Sequence, residues 1–407
     1  MKQKISRIAL ALGASIALFA AHAGENVSQV PAEVQTLRRI MLNPDVSTLT
    51  LRNMDQLYDT RVVGRSGPVW QLPAATHDID FSYTLPNGET HKASEFADRT
   101  YTDALLIIKN GKIVHEYYAN GMRDYQRHMA WSMTKSLTSL AVGQAVQDGL
   151  VKLDERIDKY LPELAKGGYA GVTVRQVLDM TSGVDYEERY DFENPGIAAK
   201  NHERALVKNE VRFADAAIDI KRKQKPGAKF EYKTLDTAVL GWMLERVTGQ
   251  TISAYFSQHV WQPLGTEYDG FFIMDGPVGV GREFTGAGFN GTLRDFGRIG
   301  LMMLHDGYAN GHQIVSKKWV DESTKPAGPE EGPPGSPGGY GYQWWTITGP
   351  SEAYTAIGLA GQYIYIDKAN DTVVVKLSHL PLDEKKYMEA SIEIGVFLGA
   401  ASAWKPQ

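Results

Sequence analysis

The 407-residue chain contains no cysteine, which excludes disulfides, thiolate metal sites and thiol nucleophiles together. The same absence rules out a lipid anchor on cysteine. No GxSxG occurs, so the nucleophile elbow of an α/β-hydrolase is missing. The stretches beginning at His115 and His202 lack the second histidine of a zinc-protease helix, and no other His, Asp or Glu shows metal-ligand spacing. Positive charge is scarce, with 43 Lys and Arg against 48 Asp and Glu, a net charge of -5. A nucleic-acid partner, which needs a basic face, is therefore not expected.

A long hydrophobic run is also missing. The apolar stretch Ile8 to Ala21 has 14 residues, short of the roughly 20 that span a bilayer. Lys2, Lys4 and Arg7 precede it, and Ala21 and Ala23 stand just before Gly24, which is the pattern of a cleavable export signal. Cutting after Ala23 removes three basic residues and takes the charge from -5 to -8. The expectation is a periplasmic or secreted protein with no stable membrane anchor. Hydrophobic residues at 43% and charged residues at 22% are the proportions of a globular domain, so neither wholesale disorder nor a membrane bundle is expected.

The strand signals lie at the two ends. TDALLIIKNGKIVHEYY, from Thr102 to Tyr118, reads as two strands turned at Asn110 and Gly111. Residues 150 to 320 read mostly as helices, among them LDTAVLGWMLERVTG and LRDFGRIGLMMLHDG. GYQWWTI, GQYIYID and TVVVKLS then return to β-branched and aromatic residues, and an amphipathic stretch from Asp383 to Ala401 closes the chain. The expected fold is α/β of the α+β kind, an antiparallel sheet flanked by helices with an inserted, mostly helical domain. Its expected divisions are an extension over 24–100, sheet pieces at 101–130 and 335–407, and the helical domain over 131–334. From Pro326 to Gly339, ten of 14 residues are Pro or Gly, which predicts an irregular surface loop.

Within WSMTKSLTSLAVGQAVQDG, Ser132 opens a helical repeat and Lys135 lies one turn further on. A serine at a helix start has free backbone N–H groups and the positive end of the dipole beside it. Residues three apart share a helix face, so the amine can reach the hydroxyl. Burial and a positive dipole favour the neutral amine, which is then able to take the serine proton. The plainer alternative is a helix cap beside a solvated lysine, and Ser402 with Lys405 repeats the pattern where no helix follows. Tyr232, in FEYKTLDTAVLGWMLERVTG, could relay a proton if it converges with the other two, or simply pack before a helix. Gly286, Gly288 and Gly291 match GxGxxG, but GREFT ahead of them is no apolar strand, so dinucleotide binding is not expected.

Over roughly residues 100 to 400, these stretches together with VRQVLDMTSGVDYEERYDFENPG, YGYQWW and GLAGQYIYID resemble the serine penicillin-recognising enzymes. The branch they are most similar to is the class C β-lactamase-like group, with its 6-aminohexanoate-dimer hydrolases and esterases. The resemblance implies a β-lactamase/DD-peptidase-like fold, Ser132 as nucleophile and Lys135 with Tyr232 as the proton-transfer pair. It further implies that the N–H of Leu359, next to Gly358, joins that of Ser132 in an oxyanion hole. Tyr190 matches a loop tyrosine that binds the substrate amide in that group. Thr234 stands where the tyrosine motif usually ends in Asn or Ser. Lactamases and DD-peptidases usually carry Lys-Thr-Gly or His-x-Gly on the late strand, whereas this chain has Ala356, Ile357 and Gly358.

Penicillins and D-Ala-D-Ala peptides then lose the cation or hydroxyl that holds their carboxylate. The expected activity is hydrolysis of a small amide or ester through an acyl-enzyme, with no metal or organic cofactor. The alternatives are a β-lactamase or DD-peptidase with a different carboxylate anchor, and a non-catalytic envelope protein that binds peptidoglycan or a partner.

Overall fold

The computed structural model describes residues 30–328, 337–348 and 352–406. The expected export signal and residues 329–336 of the Pro- and Gly-rich segment lie outside the described residues. The first long hairpin is β1 (Thr102–Lys109) and β2 (Lys112–Tyr118), turned at Asn110 and Gly111 with φ of 49° and 70°. A type I′ turn needs two left-handed residues in succession, and Asn-Gly supplies them at least steric cost. Three long helices follow: α1 (Met133–Gln147), α2 (Thr234–Thr248) and α3 (Leu293–Leu304). The late strands are β3 (Pro337–Gly341), β4 (Trp344–Ile347), β5 (Ala353–Gly358), β6 (Gln362–Asp367) and β7 (Thr372–Ser378), before the final helix α4 (Glu384–Ala403).

These seven strands make one antiparallel sheet in the order β3-β4-β5-β6-β7-β1-β2. The two ends of the chain meet where β7 pairs with β1, Val374 opposite Ile107. All eight residues of β1 are buried, so the sheet is covered on both faces. Strand alternation delivers the two sets of contacts. Leu106 and Ile108 join a core with Leu137 and Leu140 of α1 and Phe296 and Ile299 of α3, while Leu105 and Ile107 join Ile394 and Phe397 of α4. Helix α1 is buried on every side from Met133 to Ala145, so the segment beginning at Ser132 enters the interior of the largest core.

Residues 131–334 hold α1, α2 and α3, a small hairpin of Tyr308–Ala309 and His312–Gln313, and the short strands Gly270–Ile273 and Phe289–Gly291. With Thr60–Val63 and His128–Met129 the last two form a second, four-stranded sheet. The described part of the segment 24–100, from residue 30, is tied in at that sheet and also through a hairpin of Ser82–Thr84 and Thr90–Lys92, where Tyr83 donates to Glu393 of α4 at 2.5 Å. Of the Pro- and Gly-rich segment, residues 337–339 are not loop but the start of β3. Among the described residues no helix is long and apolar enough to cross a membrane.

Helix α3 lies close on the large sheet because two of its residues have no side chain. A Cβ on Gly297 would sit 2.6 Å from Leu106 Cδ2, and one on Gly300 would run into Val373. Gly399 on α4 faces open space instead. Gly300→Ala is therefore expected to destabilise the fold by about 1–3 kcal/mol through overpacking. Gly399→Ala should stabilise it by about 0.5–1 kcal/mol through chain entropy and helix propensity. Thermal denaturation of both variants checks this by the opposite signs of their shifts in Tm.

Candidate active site

Ser132 is delivered to its place by a strained step. The strand His128–Met129 pairs with Asn290 and Gly291, Ala130 N–H donates to Phe289 O at 2.9 Å, and Trp131 then takes φ of 47°. A bulky residue in the left-handed region is sterically unfavourable and persists only where its surroundings hold it. The turn leaves Ser132 as the residue before α1, half-buried, with Met133 the first helical residue. Among the described residues the Ser132 N–H has no acceptor, as expected of a first-turn amide.

Lys135 is 1% exposed and aligned with Ser132 across one helical turn. Its Nζ is 3.0 Å from Ser132 Oγ and 2.7 Å from Gly286 O, to which it donates. Burial pulls the amine down from 10.5 to about 8, opposed by the negative charge of Glu188. The second bond gives the GxGxxG stretch a use other than nucleotide binding. Gly286 contributes a carbonyl, and a Cβ there would collide with Thr234 at the start of α2. A Cβ on Gly288 would come within 2.6 Å of Phe284 O.

Tyr232 enters from the segment ahead of α2. Glu231 N–H donates to Met180 O at 2.9 Å, Lys233 N–H approaches Met180 Sδ at 3.0 Å, and the extended Lys233 leads into the helix. Lys135 Nζ lies 4.9 Å from the centre of the Tyr232 ring, and Ser132 is near enough to the phenol to oppose part of the effect of its burial. Hydroxyl, amine and phenol thus stand together although they come from sequence positions 100 residues apart. Burial raises the Tyr232 phenol above its ordinary value, so it keeps its proton at neutral pH. An aromatic wall continues outward from it: Trp345 stacks at 5.8 Å, Tyr340 meets it edge-on at 6.1 Å, and Phe230 packs on both of these.

Thr234 and Tyr190 are joined by a residue that the sequence motifs did not single out. Glu188 accepts from Thr234 N–H at 2.9 Å, from the Thr234 hydroxyl, and from Tyr190 OH at 2.8 Å. The Thr234 hydroxyl is thereby committed to Glu188. Tyr190 remains 40% exposed, its ring edge-on to His202 at 5.8 Å, and its bond to Glu188 links it to the start of α2. Glu188 lies in the quoted loop DYEERYDFENPG, but no spacing rule marks a lone carboxylate there.

Leu359 and Gly358 come from the far side of the large sheet's fifth strand. A Cβ on Gly358 would collide with the Ala130 carbonyl oxygen, so the end of β5 lies directly against the backbone that leads to Ser132. Only glycine permits this approach. Leu359 is the next residue, half-buried, and among the described residues its N–H has no acceptor. Two unpaired N–H groups, of Ser132 and Leu359, are thus carried by adjoining backbone segments. Among the described residues no group of His, Asp or Glu is arranged to hold a metal ion.

A beta-lactamase family profile matches residues 91–395. The chain is 30% identical over 364 residues to a 6-aminohexanoate-dimer hydrolase of Paenarthrobacter ureafaciens, covering 86% of this chain and 89% of that one. A Bacillus anthracis structure, described provisionally as a 6-aminohexanoate-dimer hydrolase, superposes with a TM-score of 0.76 at 23% identity, over 88% of this chain and 96% of its own. The structure of EstCE1, a hydrolase with promiscuous acyltransferase activity, gives 0.61 at 16% identity, over 75% of this chain and 96% of its own. At these identities the two structures speak for the fold alone, and it is the expected one. On the family profile and the curated relative together, the chain belongs to the beta-lactamase family of hydrolases, enzymes that act on amide or ester bonds.

Proposed function

We propose that the protein is an exported serine hydrolase that cleaves an amide or ester bond of a small substrate through an acyl-enzyme on Ser132. The observation that carries this reading is the 3.0 Å contact between Ser132 Oγ and the buried amine of Lys135. Export is supported by the pattern of residues 1–23 alone.

The neutral Lys135 amine takes the hydroxyl proton as Ser132 Oγ bonds to the acyl carbon and the carbonyl electron pair moves onto oxygen. That oxyanion accepts from the N–H groups of Ser132 and Leu359, each such donor contributing about 3–4 kcal/mol. Collapse expels the amine or alkoxide, which takes its proton from the Tyr232 phenol, and the Lys135 ammonium returns a proton to the phenol. Water then attacks the acyl carbon, its proton passes to the same pair, and Ser132 leaves with a proton as the acid is released. The aromatic wall of Tyr232, Tyr340, Trp345 and Phe230 suits an apolar chain on the substrate.

Substrate choice follows from what stands on β5. Ala356 and Ile357 offer no cation or hydroxyl, and a charge-assisted hydrogen bond to a carboxylate is worth about 1.5–3 kcal/mol, roughly ten- to a hundredfold in binding. Amides or esters without that carboxylate fit better than penicillins or D-Ala-D-Ala peptides. Nitrocefin turnover is expected to fall at least about tenfold below that of a short p-nitrophenyl ester in kcat/KM; equal turnover would assign the protein to the β-lactamase alternative.

Ser132→Ala should abolish labelling by a fluorophosphonate probe and lower kcat about 10^4-fold or more. Labelling that survives the substitution would move the nucleophile elsewhere. For the wild type, the base form of Lys135 grows as pH rises through its value of about 8, so the rate should climb along an acid limb with that midpoint. Because Glu188 raises the Lys135 value, Glu188→Gln should shift the midpoint to lower pH, read from kcat/KM profiles of the two proteins.

A further inference from the structure

The turn that carries Leu359 is held from behind by a buried side chain that takes no part in the chemistry above. Gln362, the first residue of β6, is fully buried. Its Nε2 donates to Leu359 O at 3.1 Å, Ala360 O at 3.0 Å and Ser378 O at 2.7 Å, and its Oε1 accepts from Ser378 N–H at 2.9 Å. One amide therefore fastens the three-residue turn between β5 and β6 to the end of β7.

The turn needs fastening. Ala360 stands at φ of 59° and Gly361 at 86°, and for alanine the left-handed region costs about 1–2 kcal/mol. Other buried donors reinforce the amide. Leu380 N–H donates to Ala360 O at 3.1 Å, and Lys376 Nζ, also fully buried, reaches Thr100 O at 3.0 Å and Gly361 O at 3.4 Å. All three carbonyls of the turn, at Leu359, Ala360 and Gly361, are thus engaged by donors from β6, β7 and Leu380, two residues beyond it. Among the described residues the Leu359 N–H is left without a partner, one residue on from Gly358, whose backbone lies against the Ala130 carbonyl. A peptide plane whose neighbouring carbonyls are fixed cannot swing, and a preorganised donor loses nothing to reorientation when charge develops in front of it.

We propose that Gln362 is a positioning residue for the oxyanion donor at Leu359, with Lys376 supporting it. The proposal rests on the acyl-enzyme reading of Ser132 and adds to it the side chain that aims the second N–H. A purely structural role would alter Tm and leave kcat unchanged well below the transition. An aiming role alters the transition state more than the ground state, so it appears in kcat with KM held.

The test uses the full chain with a short p-nitrophenyl ester and a fluorophosphonate probe, with Ser132→Ala alongside. Gln362→Leu is expected to lower kcat about ten- to a hundredfold, with KM within about threefold and the labelling rate of Ser132 falling in parallel. Gln362→Glu keeps the acceptor for Ser378 N–H but sets a carboxylate against three carbonyls until it is protonated. Its kcat relative to wild type should therefore rise as pH is lowered, a dependence a packing defect would not produce. If neither variant is obtained folded, Lys376→Met, which leaves Gln362 in place, should show the same loss in kcat at constant KM to a lesser degree. Wild-type kcat and labelling rates in these variants, or a loss confined to KM, would overturn the proposal. Persistent labelling of Ser132→Ala would instead overturn the serine reading, whatever Gln362 does.

Discussion

The amine of Lys135 is packed where it touches two polar atoms, the Ser132 hydroxyl and the Gly286 carbonyl. Among the described residues no carboxylate oxygen lies within ion-pair distance of it, and the nearest influence of that kind, Glu188, acts through space. An ammonium in such a place is poorly solvated and has no counter-ion, so burial brings its value down to about 8 and a useful share of the amine is free near neutral pH. The other features of the site are arranged around this amine. The left-handed Trp131 sets the hydroxyl one turn away, the bare Gly286 lets its carbonyl approach, and Tyr232 closes the third side with a phenol that retains its proton.

The fold explains how residues so far apart meet. The central pairing of β7 with β1 brings the end of the chain to its first third, and β5 and β6 follow outward in register. Helix α1 lies in the core beside that sheet, so the end of β5 comes against the residues just ahead of it. The small sheet does the same from the other side, since His128–Met129 pairs with the strand that follows Gly286. Each layer therefore presents one N–H without an acceptor among the described residues, Ser132 held by the small sheet and α1, Leu359 by the turn of the large sheet. The buried amide of Gln362 ties that turn to the end of β7.

Much of this was legible in the sequence. Asn110-Gly111 between two apolar runs marks the hairpin, the β-branched and aromatic residues of β6 and β7 mark strands, and LDTAVLGWMLERVTG and LRDFGRIGLMMLHDG, read as helices, are α2 and α3. The SMTK step could be recognised because its meaning is local, two side chains on one face of a single helix. What was hidden depends on contacts between distant segments. Thr60–Val63 and Gly270–Ile273 are four-residue strands with too few residues to show a period. Gly286 matches a nucleotide-binding pattern, yet its carbonyl and its missing side chain serve Lys135 and Thr234. Glu188 and Gln362 are ordinary polar residues until the fold gives the first two partners and the second three.

The central claim, an amine kept basic by burial, is open to direct observation. Protein carrying lysine labelled with carbon-13 at Cε, titrated from about pH 6 to about pH 11, reports each lysine separately, and the Lys135 signal is identified by its loss in Lys135→Met. The account predicts that this resonance titrates near 8, well below the ordinary lysine value of 10.5. A midpoint at the ordinary value would leave almost no free amine near neutral pH, and would leave Ser132 without a base.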